Sequence, residues 1–176
     1  MVRARYRRRV SDDRRDDEVD LLIDAWAQRL PDVDLTPLDV MSRLRRAAIR
    51  LDRLRAAAFA TAGLASWEFD VLAALRRADP PHRLSPAQLI ERTMITSATM
   101  SHRLANLSTR GLVLRKRNPS DGRSVYILLT DEGIRVVDAA MTELVRREAE
   151  VLAGSDRADI AALTRALRPL MGPERG

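Results

Sequence analysis

The stretch that decides the fold runs from residue 84 to residue 133, "LSPAQLIERTMITSATMSHRLANLSTRGLVLRKRNPSDGRSVYILLTDEG". Ser85 followed by Pro86 is a helix start: a side-chain cap, then proline at the first helical position. The short helix "PAQLIERT" follows. Thr96 opens a second helix, with Met100, Leu104 and Leu107 at helical spacing and Gly111 as its stop. The character then changes to "LVLRKR" and "SVYILLT", rich in β-branched and apolar residues, around the turn formers "NPSDGR". This order predicts a short helix, a tight turn, a second helix and a two-stranded wing.

Helical patterns flank this unit on both sides. Val19, Leu22, Ile23, Trp26, Ala27 and Leu30 form one face, stopped before Pro31. A longer helix is expected from Leu38 to Ala60, with Val40, Met41, Leu44, Ala47, Ala48, Leu51, Leu54 and Ala58 inward. Ser66 is expected to cap the helix "WEFDVLAALRRA", which the turn "DPPHR" closes. Thr130 and Asp131 start another long helix, to about Ala153. Asp156 caps a last one, with Ile160, Leu163, Leu167 and Leu170 inward. The expected fold is mainly α with one small β-hairpin: a winged helix-turn-helix with helices at both chain ends. The organisation follows as a mobile basic arm over 1–17, N-terminal helices over 18–60, a DNA-binding module over 64–130 and C-terminal helices over 131–172.

Composition narrows the function. The net charge is +6, unevenly spread: residues 1–15 carry +5, residues 95–125 carry +5 and the remainder carries −4. A basic end and a basic middle on an otherwise acidic chain point to an anionic partner, most often nucleic acid, with a solvated tail and an ordinary basic loop as the plainer reading; the helix-turn-helix makes that partner double-stranded DNA. The chain has no cysteine and only two histidines, His82 and His102. Thiol chemistry is thereby excluded, and no metal spacing, phosphate loop or nucleophile constellation stands out. No catalytic residue, metal site or cofactor is expected. No apolar run approaches the roughly 20 residues of a membrane span, and "MVRARYRRRV" lacks the apolar core of a secretory signal. A cytoplasmic protein fits both absences.

A helix entering the major groove needs short side chains able to hydrogen-bond on its outward face. Ser97, Thr99, Ser101, His102 and Asn106 fit, and the backbone amides near Ser97 and Ala98 can hold a phosphate. In the hairpin, Lys116, Arg117 and Arg123 supply positive charge, with Arg123 placed to enter the minor groove and Asp121 to orient it. The plainer reading of Asp121 and Arg123 is a solvated surface pair. Arg103 borders the apolar stripe of its helix, and Asp70 borders the core side of "WEFDVL". Two opposite charges at the edge of one core suggest an ion pair, either purely structural or part of an anion pocket.

With these motifs together, the sequence resembles the MarR family of bacterial transcriptional regulators over about residues 38–171; "RGLV…NPSDGR…LLTDEG" carries the likeness. The resemblance implies a homodimer whose terminal helices intertwine and whose two lobes read a pseudo-palindromic operator. Gly122 and His102 stand where many relatives carry arginine. The sequence is similar more narrowly to the branch that responds to urate, citrate and aconitate. That similarity implies a pocket for a small organic anion formed by Trp26, Asp70, Arg103 and Arg115, and a repressor released when the anion binds. A DNA binder of the architectural kind, independent of any ligand, is the alternative.

Overall fold

The computed structural model describes residues 17–118 and 121–172; the side chains of residues 118 and 121–123 lie outside that description. The expected arm falls outside it too, apart from Asp17. Seven helices and three strands are described: α1 (Glu18–Arg29), α2 (Thr36–Thr61), α3 (Ser66–Arg76), β1 (Arg83–Leu84), α4 (Pro86–Thr93), α5 (Ser97–Thr109), β2 (Val113–Asn118), β3 (Asp121–Leu129), α6 (Asp131–Leu152) and α7 (Arg157–Leu167). A 3-10 turn over Arg168–Met171 ends the series. The fold is mainly helical with a small sheet, as the periodicities predict. No single helix among the described residues is long and apolar enough to cross a membrane.

The chain forms two compact units that divide between Arg53 and Leu54, inside α2. In the first, Asp17 caps α1 by accepting from the amides of Val19 and Asp20. Val19, Ile23 and Leu35 form a small core. Arg43 bonds Asp20 at 2.9 Å and also pairs with Asp39, tying α1 to α2.

The second unit holds the main core. Leu72, Leu75, Leu89, Met100, Leu104, Leu107 and Ile127 are all fully buried in it. Phe59 and Phe69 stack with ring centroids 3.9 Å apart and seat α3 on the end of α2. Arg76 grips both carboxylate oxygens of Asp138 and so joins α3 to α6. The hydrogen bond to Asp138 raises the Arg76 pKa further above its ordinary value.

Four expectations need correction. Ser66 is not a cap: α3 begins after Ala65, whose amide donates to the Glu68 carboxylate at 2.9 Å. The expected hairpin of β2 and β3 is present but gains a third strand, in the order β1-β3-β2, because Arg83, read as turn, and Leu84 pair with Leu128 and Ile127. Most of the apolar face of α2 is not buried, with Val40, Met41 and Leu51 all exposed. Helix α7 buries none of its residues, and Leu163 and Leu170 are half exposed. The spacing identified an apolar stripe correctly in both helices; apart from the end of α2 with Leu54 and Ala58, no described element covers it.

The wing closes on one point. Thr130 caps α6 by accepting from the Gly133 amide at 2.9 Å, and its hydroxyl donates to the Gly111 carbonyl at 2.8 Å. Its own amide donates to the Leu112 carbonyl at 3.2 Å. Gly111 sits at φ +70°, which favours glycine. Gly133 is required for a different reason: a Cβ there would lie 2.1 Å from the Leu112 carbonyl oxygen. Gly133→Ala should destabilise the protein by about 3 kcal/mol, the upper end for overpacking against an unyielding group. Gly154→Ala, which meets nothing within 4 Å, should be close to neutral. Thermal unfolding of the two variants side by side checks this.

Candidate nucleic-acid interface

Helix α4 is short but firmly started. Ser85 accepts from the Gln88 amide and Gln88 accepts from the Ser85 amide, a reciprocal cap. Met94 ends α4 in the left-handed region at φ +53° and turns the chain towards α5. Thr96 caps α5, and its hydroxyl also meets that of Thr99 at 2.9 Å.

At 3.6 residues per turn, Met100, Leu104 and Leu107 occupy one side of α5, and all three are fully buried. Ala98, His102 and Asn106 lie roughly opposite. Ser97 and Ser101 stand on one flank, and Thr99 on the other. All six are exposed. The helix therefore presents a small, polar, solvent-facing surface, while its apolar side is locked to the lobe.

Strand register sorts the basic residues of the wing. Arg115 pairs with the buried Ile127, and Arg117 with Val125, so both point to the sheet face that carries the core. Lys116 pairs with Tyr126 on the opposite face, where Arg83 also lies over the Tyr126 ring at 4.8 Å. Arg115, Lys116 and Arg117 are all exposed. Asp121 and Arg123 belong to β3, and their side chains lie outside the described residues.

The four residues expected to share an anion pocket are placed differently. Trp26 belongs to the first unit, where it is 44% exposed. Arg103 does not pair with Asp70: its guanidinium lies over the Trp67 ring, 5.3 Å from the centroid. The reason is helical phase. Asp70 is turned about 60° from Trp67, away from the buried Val71, Leu72 and Leu75, and this carries it off the shared core edge into solvent. It instead lines a cleft of about 490 Å³ with Arg55, Arg77, Arg92, Met141 and Glu148. Arg55 reaches Glu148 at 3.4 Å, while Arg77 and Arg92 have no ion-pair partner among the described residues.

The one buried charge among the described residues is Glu68, 4% exposed, and it pairs with Arg110. Neither residue stood out in the sequence. Glu68 sits three residues into its helix like an ordinary first-turn acid, and Arg110 reads as a solvated residue before a glycine.

A helix-turn-helix with an exposed polar second helix, followed by a basic wing, defines a winged-helix DNA-binding protein. A model of the MarR family matches residues 62–124. The transcriptional regulator PecS of Dickeya dadantii is 36% identical over 135 residues, covering 77% of this chain and 81% of its own length. The repressor NicR of Pseudomonas putida is 33% identical, covering 70% and 78%. In structure, BpsR of Bordetella bronchiseptica, whose DNA binding is regulated by 6-hydroxynicotinic acid, superposes with a TM-score of 0.62 at 25% identity, over 77% of this chain and 94% of its own. Sco3205 of Streptomyces coelicolor, solved in complex with DNA, shares the fold at a TM-score of 0.67 and 24% identity, over 82% and 93%. The chain belongs to the MarR family of DNA-binding transcriptional regulators, which are not enzymes.

His102→Ala and Asn106→Ala remove exposed side chains with no packing role. Each should leave stability within about 0.5 kcal/mol of the parent while weakening binding to specific DNA. Thermal unfolding and fluorescence anisotropy on the same preparations separate the two effects.

Proposed function

We propose that this protein is a homodimeric repressor of the bacterial cytoplasm that reads a pseudo-palindromic operator and leaves it when a small organic anion binds. The observation that carries the DNA reading is the face of α5. Ser97, Ala98, Thr99, Ser101, His102 and Asn106 stand exposed opposite a fully buried apolar side. They enter the major groove, and Lys116, Arg117 and Arg123, the last supported by Asp121, address the flanking backbone and minor groove. Two copies place two such helices about one turn of DNA apart, roughly 10 bp. The uncovered apolar residues of α2, α6 and α7 support the homodimer, since stripes of this length on charged helices call for a partner surface.

The effector is an anion of the urate or citrate/aconitate class. The cleft around Asp70 supports this reading through Arg77 and Arg92, two cations without an ion-pair partner among the described residues, beside an apolar wall. Of the four residues implied by the resemblance, Asp70 lines this cleft. Arg103 and Arg115 enter the reading as residues of the recognition helix and wing that the anion acts upon. BpsR offers a parallel, since its regulator is an aromatic acid. A carboxylate held by Arg77 and Arg92 repels Asp70 and shifts α3, on which α5 rests. It can lower DNA affinity only by binding the DNA-incompetent state more tightly, and a coupling of about 1–3 kcal/mol corresponds to about 5–150-fold.

The experiment selects the operator from random duplexes and titrates urate, citrate, trans-aconitate and 6-hydroxynicotinate against the complex. One of these anions should release the wild-type protein. The double variant Arg77→Ala, Arg92→Ala should bind operator but require at least about tenfold more anion, as expected when a charge-assisted contact is lost. A variant that responds like the wild type rules out the cleft. Affinity that does not discriminate between sequences, with a steep salt slope, would establish the architectural alternative.

A further inference from the structure

The attachment of the recognition helix to its lobe has two parts. The first is the apolar contact of Met100, Leu104 and Leu107, which holds α5 against the core. Aliphatic contacts are non-directional, so they resist separation better than they resist a roll of the helix about its axis. The second part lies along one edge of α5. Arg103 and Arg110 are seven residues apart, nearly two turns, and so project on the same side. They dock on consecutive residues of α3: Arg103 over the ring of Trp67, and Arg110 on the carboxylate of Glu68.

The Arg110 contact is forked. One terminal nitrogen donates to Glu68 Oε1 and the other to the Gly63 carbonyl at 2.9 Å. Gly63 ends α2 in the left-handed conformation, at φ +71°. Glu68 is itself fixed, because its other oxygen accepts from the Ala65 amide at the start of α3. One guanidinium thus joins the C-terminal ends of α2 and α5 to the N-terminal start of α3. A planar fork on two acceptors is directional in a way that leucine contacts are not.

We propose that Arg110 is a positioning residue for DNA recognition: through Glu68 and the Gly63 carbonyl it sets the roll of α5, and hence the angle at which Asn106 and His102 meet the base edges. Base-edge hydrogen bonds depend steeply on angle, whereas phosphate attraction does not. Loss of the fork therefore lowers discrimination between sequences and leaves the electrostatic part of binding in place. The proposal rests on α5 being the reading helix; if that is wrong, the wild-type protein itself will show no preferred duplex.

The test measures anisotropy of the full-length protein on the selected operator and on a random duplex of equal length, across a range of salt. Glu68→Gln keeps the bond from the Ala65 amide and removes the charge; Arg110→Lys keeps the charge and removes the fork. Each should reduce the operator-to-random affinity ratio by about tenfold, within the range measured for coupled neighbours, with the salt slope unchanged. The double variant should lose no more than either single one. Arg110→Ala leaves Glu68 buried without its cation, so a failure of that variant to fold is handled by the two milder substitutions. A salt slope reduced by about one per lobe would make Arg110 a phosphate contact instead. An unchanged ratio, a loss in only one of the single variants, or additive losses in the double variant would each overturn the proposal.

Discussion

The close approach of α6 to the Leu112 carbonyl is the constraint on which the winged lobe depends. Helix α5 and the wing meet α6 at this junction. Helix α5 ends at Thr109, the wing runs out from Val113 and back to Leu129, and α6 begins at Asp131. Thr130 bonds both sides of the gap, and Gly133 lets a helix start where any side chain would strike backbone. The buried Leu112, Val113, Ile127 and Leu129 hold the base of the wing in the core, and local hydrogen bonds and one missing Cβ set the geometry of the junction.

From that junction the lobe is assembled through α3. That helix contributes Phe69, Val71, Leu72, Ala73, Ala74 and Leu75 to the core, and it carries two charged links: Arg76 to Asp138 of α6, and the buried Glu68 from Arg110 of α5. The recognition helix therefore rests on an element that also lines the cleft with Asp70, Ala73 and Arg77. On the proposed reading, one helix touching both places gives an anion its route to DNA reading. It requires no long chain of intermediates, only a small displacement of α3 relative to α5.

Much of the lobe is legible in the sequence because its signals are local. Ser85, Thr96, Thr130 and Asp156 each cap the helix expected of them. Met100, Leu104 and Leu107 are buried as their spacing requires. Local signals mislead where the competing partner is remote. Ser66 has the chemistry of a cap, yet the carboxylate of Glu68 takes the task. Arg83 looks like the last residue of a turn, yet it and Leu84 pair with a strand more than forty residues away.

The sequence by itself determined the order of the helices, the small polar face of α5 and the basic character of the wing, each of which depends on periodicity, composition and turn chemistry within a dozen residues. The family came from resemblance over a far longer stretch. Only the tertiary structure decided which charge meets which. Arg103 and Asp70 have the right signs and border one apolar pattern, but a rotation of about 60° along α3 separates them. Glu68 and Arg110, unremarkable in their own surroundings, are brought together across forty-two positions, and the half-exposed arginine partners the one buried charge among the described residues. Register likewise parts Lys116 from Arg117, neighbours in the chain on opposite faces of the sheet. Pairing of charges depends on the relative phase of two helices or strands, and phase between distant elements is set by packing rather than by the composition of either.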